Sequence, residues 1–171
     1  YRNYAMEFDG VDDYVDMGHI PVINFQRTDN FTINCWVNVD GISGSSYEYN
    51  DFLGQMYGAG ERGWYIQQHL TYLYLTIRAG SASNNYQLTV YPNGFSFTVG
   101  VWTHLSVIFT GTSGNITVSN VKFYINGTYY SPTAMNTNAD SISSSYDFAQ
   151  TDTSHGKFAI GARRWENSSS S

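Results

Sequence analysis

The sequence has little cysteine and few basic residues, and each shortage excludes one kind of bond or partner. Its 171 residues include a single cysteine, Cys35, so no internal disulfide can form. Eight Lys and Arg stand against 14 Asp and Glu, and the net charge of −6 disfavours binding to nucleic acid or anionic membranes. No apolar run approaches the roughly 20 residues of a membrane span, so we expect no membrane insertion.

Aromatic residues are abundant, at 17% of the chain, and 15 of them are tyrosines. Apolar and aromatic residues recur at every second position in many short segments, as in half-buried strands, and no segment has a sustained helical period. The length fits a single domain, residues 1–171, and the alternation predicts an all-β fold. Predicted strands cover residues 4–8, 13–17, 31–39, 52–56, 64–69, 72–78, 86–91, 103–110, 121–125, 128–130 and 158–162.

Turn residues separate these segments. Asn126-Gly127 is the strongest hairpin signal, because a type I′ turn needs positive φ at both central residues. Ser-, Thr-, Asn- and Gly-rich loops are predicted over 41–50, 111–120 and 131–155. The alternation also sorts the strand faces and predicts a core of apolar residues: Phe31, Ile33, Cys35, Val37, Val39, Trp64, Ile66, Leu73, Leu75, Ile77, Leu88, Val90, Leu105, Val107, Phe109, Val121, Phe123 and Ile125.

Six segments together resemble one family. They are FDGVDDYV at 8–15, FTINCWV at 31–37, GWYIQQH at 63–69, WTHLSVIFTG at 102–111, VKFYINGTYY at 121–130 and FAIGARR at 158–164. In this order they resemble the laminin G-like domains of the concanavalin A-like lectin/glucanase superfamily. The resemblance implies a jelly-roll sandwich of two antiparallel sheets. Members include lectins, adhesion modules, enzymes and structural spacers, so the fold does not fix the function.

The two ends of the chain raise a further expectation. The sequence opens at Tyr1 instead of Met, and we expect it to be part of a longer polypeptide. The family's closing strand, of the Gly-x-Ile-Asp-Asp/Glu-Val-Arg type, has no match in WENSSSS at 165–171. Because an unpaired first strand would be an exposed edge, the closing strand is expected beyond Ser171 or from a neighbouring chain.

A carboxylate motif lies in the opening segment. Glu7-Phe-Asp9-Gly-Val-Asp12 resembles the E-x-D-x-x-E motif of laminarinase-like glucanases in the same superfamily, where two carboxyl groups must lie about 5–5.5 Å apart for retaining hydrolysis. Gly10 interrupts the strand alternation that this spacing needs, and Asp12 replaces a longer Glu. We therefore assign no catalytic residues and expect a protein that is not an enzyme.

The same turn is a candidate calcium site. Carboxylates crowd it, and Ca²⁺ prefers such oxygen ligands, completed by backbone carbonyls. The predicted ligands are Asp9, Asp12 and Asp13, with Glu48, Asp51 and Glu61 as a weaker second cluster. The alternative is that Asp and Gly were selected by the tight turn alone.

The outward strand faces carry a candidate sugar platform. Saccharides present apolar C–H faces flanked by hydroxyl groups, so their sites combine aromatic rings with short polar side chains. The predicted glycan contacts are Trp36, Tyr65, Gln67, His69, Tyr74, Arg78, Tyr91 and His104. Alternatively, these residues cover a sheet face beneath the long loops, with Trp36 as a packing residue.

The sequence therefore predicts a non-enzymatic carbohydrate-binding or adhesion module on an extracellular, cell or virion surface, whose partner is a cell-surface glycan. The alternative is a structural module of a phage fibre, tail or capsid-decorating protein, or of a bacterial surface protein, that packs against sister subunits and binds no sugar. A glycoside hydrolase comes third.

Overall fold

A computed structural model shows a β sandwich and describes residues 4–9, 13–42, 49–56, 62–81, 84–135, 141–149 and 157–161. The described ranges contain short 3₁₀ turns at Pro21–Ile23 and Val118–Asn120 and no α-helix. The strands are β1 (Val15–Asp16), β2 (Phe31–Val37), β3 (Tyr49–Met56), β4 (Gly63–His69), β5 (Tyr72–Ser81), β6 (Asn84–Pro92), β7 (Thr103–Phe109), β8 (Ile116–Thr117), β9 (Val121–Ile125), β10 (Thr128–Tyr130), β11 (Pro132–Ala134), β12 (Ser141–Ile142) and β13 (Lys157–Ile160).

These strands form two main sheets and one small one, and neighbouring strands within each sheet run antiparallel. The larger sheet has the order β1-β13-β3-β4-β5-β6-β11, and the smaller has the order β10-β9-β7-β2. A third sheet consists of β12 and β8. The predicted hairpin between β9 and β10 is present, with φ of 50° at Asn126 and 80° at Gly127.

The two main sheets pack face to face through aromatic and branched side chains. Phe31 on β2 stacks on Phe25 at 4.1 Å between ring centroids and lies 5.8 Å from Trp64 on β4, so residues of both sheets meet in one core. Leu75 and Phe123 are fully buried on opposite sides of it. Each such side chain stabilises the fold by roughly 1.5–3 kcal/mol relative to full exposure.

A buried arginine ties three loops together beside this core. The Arg27 guanidinium donates hydrogen bonds to the backbone carbonyls of Thr112 (3.3 Å), Ser143 (2.9 Å), Tyr146 (2.5 Å) and Gly114. All four acceptors come from segments predicted only as loops. The loops at 111–114 and 143–146 are therefore held by a specific side chain.

The structure corrects two expectations about the start of the chain. Residues 4–8 form no strand; Tyr4 and Met6 are exposed. The opening strand β1 is not left unpaired, because Val15 and Asp16 pair with Ile160 and Ala159 of β13. A salt bridge of 3.5 Å between Lys157 and Asp16 adds to this pairing.

Three short strands were not predicted. β8, β11 and β12 lie in segments whose polar composition predicts loops. β11 extends the larger sheet by pairing Thr133 with Tyr91 of β6, and β12 pairs Ile142 with Ile116 of β8. Both isoleucines are fully buried, so the short apolar positions inside these segments anchor them to the core.

Candidate functional site

The predicted sugar platform lies on two separate surfaces. Tyr65, Gln67, His69, Tyr74, Arg78 and Tyr91 belong to the larger sheet, whereas Trp36 and His104 belong to the smaller one. Because the inner faces of both sheets are packed together, the two outer faces point away from each other. The structure therefore does not bring the eight residues into one site.

The smaller sheet carries an open aromatic surface, which we call the tryptophan face: Trp36, Trp102, His104, Tyr124 and Tyr129. Trp36 is 63% exposed, and its ring centroid lies 5.1 Å from that of His104, which is directly opposite on β7. Trp102 immediately precedes β7 and is 50% exposed. The tryptophan face thus exposes two of the largest apolar side chains to solvent.

Polar side chains lie among these rings. Asn34 on β2 is opposite Ser106 on β7, and Ser106 is in turn opposite Tyr124 on β9. Tyr124 contacts Tyr129 at 5.5 Å between centroids. Tyr124 and Tyr129 therefore lie at one end of a short polar row, and Trp36 and His104 form the next row along the strands, a composition that suits a saccharide.

The hairpin turn fixes the position of His104. Its backbone N–H donates to Asn126 Oδ1 at 2.8 Å, and its carbonyl accepts from the Asn126 N–H at 2.9 Å. These two bonds connect β7 to the β9–β10 turn. The imidazole beside Trp36 therefore sits on a firmly paired strand.

The electrostatics of this sheet differ from those of the whole chain. Its four strands, all of them described, contain no Asp or Glu, and Lys122 is their only Lys or Arg. The whole chain, in contrast, has a net charge of −6. The tryptophan face is therefore a nearly uncharged surface on an acidic protein.

The larger sheet carries a second aromatic surface, which we call the tyrosine face: Tyr49, Gln67, His69, Tyr72, Tyr74 and Tyr91. Tyr49 stacks on His69 at 4.3 Å with an interplanar angle of 19°. Tyr74 lies 6.2 Å from His69, 6.4 Å from Tyr72 and 5.9 Å from Tyr91. Five rings thus form a connected cluster across β3 to β6.

Most of this surface is buried, although the alternation predicts it as outward-facing. Gln67, Tyr74 and His69 are each less than a tenth exposed, as is the neighbouring Tyr65, while Tyr49 and Tyr72 keep 41% and 42% of their surface exposed. Burial, and secondarily the phenols of Tyr72, Tyr49 and Tyr91, raise the pKa of the Tyr74 phenol. The tyrosine face therefore has an open rim at Tyr49 and Tyr72 and a closed interior.

Hydrogen bonds satisfy one part of this interior and leave another part open. Arg78 Nε donates to Gln87 Oε1 at 2.8 Å, and Gln87 Nε2 donates to Thr89 Oγ1 at 2.8 Å. Thr89 and Thr76 hydroxyls lie 3.1 Å apart. The Gln67 amide oxygen, in contrast, is buried and has no hydrogen-bond partner in the described structure.

The acidic turn is only partly described, and calcium remains a prediction. The Asp9 backbone N–H donates to Asp13 Oδ2 at 3.2 Å, while Asp12 lies outside the described residues, as do Glu48 and Glu61. Among the described residues, no three His, Cys, Asp or Glu side chains come close enough to hold one metal ion. The Asp9–Asp13 contact alone provides fewer ligands than the six to eight oxygens, approximately, that Ca²⁺ takes.

The carboxylate motif has the wrong backbone for its glucanase role. Glu7 and Asp9 are exposed on a segment that is not a strand, so strand alternation does not align their carboxyl groups on one face. The described residues of the motif therefore lack the strand backbone that the glucanase motif needs.

Together these features define a β-sandwich protein with two separate aromatic faces. A family model described as the concanavalin A-like lectin/glucanases superfamily, Laminin G 3, matches residues 9–170. The chain belongs to this family. A search of curated proteins finds no match.

Three solved structures align with this chain at low sequence identity. The binding domain of botulinum neurotoxin serotype G aligns with a TM-score of 0.50 and 18% identity over 88% of this chain and 37% of that chain. The binding domain of serotype D/C VPI 5993 aligns with a TM-score of 0.42 and 14% identity over 80% of this chain and 34% of that chain. A botulinum neurotoxin type C structure aligns with a TM-score of 0.43 and 13% identity over 89% of this chain and 44% of that chain. It is described as showing that cell entry of that toxin is dependent upon interaction with two ganglioside molecules.

The chain thus spans less than half of each of these three structures, and at 18% identity the likeness to the serotype G domain shows the fold alone. In the described ranges, no helix combines the length and hydropathy needed to span a bilayer.

Proposed function

We propose that the protein is a carbohydrate-binding module without catalytic activity, acting on an extracellular, cell or virion surface. The observation that carries this proposal is the exposed Trp36 beside the half-buried His104, with ring centroids 5.1 Å apart on a nearly uncharged sheet. Membership of a lectin superfamily supports it. The sugar is expected on the tryptophan face.

The physical argument starts from the exposure of Trp36. A contiguous patch of large exposed apolar side chains favours binding to a partner, whereas apolar residues that are exposed singly do not. On this sheet Trp36 and His104 are directly opposite each other in strand register, and the exposed Trp102 lies two residues before His104, just outside β7. The C–H face of a pyranose can pack on an indole while its hydroxyls bond to neighbouring polar groups.

Polar groups for those hydroxyls are close by. His104 offers ring nitrogens, Asn34 offers both a donor and an acceptor, and Ser106 offers a hydroxyl. The Asn34 amide and the Ser106 hydroxyl carry no formal charge. The tryptophan face therefore suits a hydroxyl-rich, weakly charged ligand.

The rival proposal is a structural module that packs against sister subunits, as in a fibre, tail or surface protein. The exposed aromatic rings of the tryptophan face fit such packing as well. The two proposals differ in what the isolated protein binds, because a packing surface has no affinity for free glycans.

A glycan array with fluorescent protein tests the proposal. The wild type should bind a defined subset of glycans, and Trp36→Ala should weaken that binding at least tenfold, about 1.4 kcal/mol. Tyr4→Ala is the control, because Tyr4 is exposed and lies on neither face. Equal melting temperatures for the three proteins show that the fold is unchanged. Silence of the wild type across diverse glycans would contradict the proposal and favour the structural module.

A further inference from the structure

We propose that the tyrosine face is a second saccharide site, so that one chain bridges two glycan units from opposite sides of the sandwich. The ligand class is taken from the proposed function, but the site stands on separate residues. The geometry that carries it is the open rim of Tyr49 and Tyr72 beside the buried Gln67 amide.

The rim offers a stacking surface. Tyr49 and Tyr72 lie at either side of His69, since His69 pairs with Tyr49 of β3 and with Tyr72 of β5. Both phenols are about two-fifths exposed, and the Tyr49 ring lies flat on the His69 ring at 4.3 Å. A sugar ring can therefore contact Tyr72 while the Tyr49–His69 stack keeps the rim in place.

The next row inward supplies the polar contact. Gln67 lies two residues before His69 on the same face of β4 and directly opposite Tyr74 of β5. Gln67 is only 5% exposed, and its amide oxygen has no partner in the described part of the chain. A buried acceptor without a donor destabilises a folded protein, so a ligand that supplies the donor gains affinity there.

A second acceptor sits beside it. Asp51 of β3 is directly opposite Gln67 in the strand register, on the side away from Tyr74. Side chains opposite each other have Cβ atoms about 4.5–5.5 Å apart, which matches two acceptors for a pair of adjacent hydroxyls. The ligand is therefore a saccharide that presents a vicinal diol. The Tyr74 phenol, protonated at neutral pH, can donate to one of the same oxygens.

The two sites cannot be parts of one site. Trp64 and Phe31 meet in the core between the sheets, while Tyr72 and Trp36 lie on the outer surfaces. Stacked sheets are about 10 Å apart, so ligands on the two faces are separated by the whole thickness of the sandwich. A single chain that holds both ligands is therefore a cross-linker.

Native mass spectrometry with methyl glycosides of galactose, mannose, glucose and N-acetylglucosamine tests the inference. The wild type should bind two equivalents of at least one glycoside. Trp36→Ala and Tyr72→Ala should each bind one, and the double variant none. Gln67→Leu, which keeps the side-chain volume and removes the orphan acceptor, should weaken the second equivalent about tenfold.

The outcomes separate this inference from the proposed function. If the wild type binds one equivalent of glycoside, and this binding is lost in Trp36→Ala but kept in Tyr72→Ala, the second site is overturned and the first stands. If the wild type binds one equivalent, and this binding is lost only in Tyr72→Ala and Gln67→Leu, the result supports a saccharide site on the tyrosine face and overturns the one on the tryptophan face. No binding to any of the four glycosides by the folded wild type overturns both.

Discussion

Removal of the Arg27 side chain should destabilise the fold through the loss of a defined set of hydrogen bonds. Arg27 is a buried cation whose hydrogen-bonding partners in the described structure are backbone carbonyls, in loops 111–114 and 143–146. Its own backbone is also held, because Arg27 N–H donates to Asp147 Oδ1 at 3.0 Å and Thr112 N–H donates to the Arg27 carbonyl at 2.9 Å. The three segments therefore depend on one guanidinium.

The expected magnitude follows from the bonds lost. Hydrogen bonds from a charged donor each contribute about 1.5–3 kcal/mol, and Arg27 makes four of them. Burial of the cation costs part of this gain, and water can reach some of the freed carbonyls. The free energy of unfolding should therefore fall by roughly 3–5 kcal/mol in Arg27→Met.

The assay is thermal and urea unfolding followed by circular dichroism. For a chain of this size, about 2–4 °C is lost per kcal/mol, so the melting temperature of Arg27→Met should fall by about 6–20 °C. Arg27→Lys keeps the charge but lacks the planar guanidinium, so its melting temperature should lie between those of the wild type and Arg27→Met. Lys122→Met, at an exposed cation, is the control and should be nearly neutral. A loss below about 1 kcal/mol in Arg27→Met would refute the reasoning.

Three further predictions concern stability. Burial raises the pKa of the Cys35 thiol from 9.0 to about 11, so the stabilisation that the protonated thiol contributes is complete below pH 9 and is lost as the pH rises to 11; between pH 8 and pH 11 the free energy of unfolding of the wild type should fall by roughly 2 kcal/mol more than that of Cys35→Ala, and equal losses would contradict the assignment. A Cβ at Gly111 would overlap the Thr28 carbonyl, so Gly111→Ala should lower the free energy of unfolding by roughly 1–3 kcal/mol, whereas Gly41→Ala, in open space, should not; equal melting temperatures would be evidence against the overlap. If Asp9 and Asp13 help bind calcium, 1 mM Ca²⁺ should raise the melting temperature above that in EDTA, and Asp9→Asn with Asp13→Asn should remove the difference; identical wild-type curves would exclude the metal.

Alternation along the chain was enough to predict most of the central strands. β2, β4, β5, β6, β7 and β9 each carry a strict series of apolar residues, and Asn-Gly at 126–127 sets the β9–β10 turn. The predicted core is confirmed at residues such as Ile66, Val107 and Phe123. A side-chain period of two determines which residues share a face of one strand, and this information is local.

The failures arise where the decisive contacts are distant in the sequence. Residues 4–8 have the strand pattern but no strand, because β1 is the segment that pairs with β13. β8 and β12 have only two residues each, and they form because Ile116 and Ile142 are buried together. Neither outcome can be read from a short stretch of residues.

The candidate site shows the same limit. Alternation correctly placed Trp36 and Tyr65 on the outward faces of their strands, yet it does not say that these strands belong to different sheets. It also does not distinguish an open outer face from a covered one, as at Tyr65. Trp102 was missed although its signal is present, since it stands two residues before His104 and so continues the outward face of β7.

The measurement that tests the central claim most directly is a side-by-side glycan array of wild type, Trp36→Ala and the Trp36→Ala/Tyr72→Ala double variant. Wild-type binding to specific glycans, weakened at least tenfold in Trp36→Ala and abolished in the double variant, is the predicted result. Binding that is the same for all three folded proteins, or absent for the folded wild type, would contradict the claim that these aromatic faces bind carbohydrate.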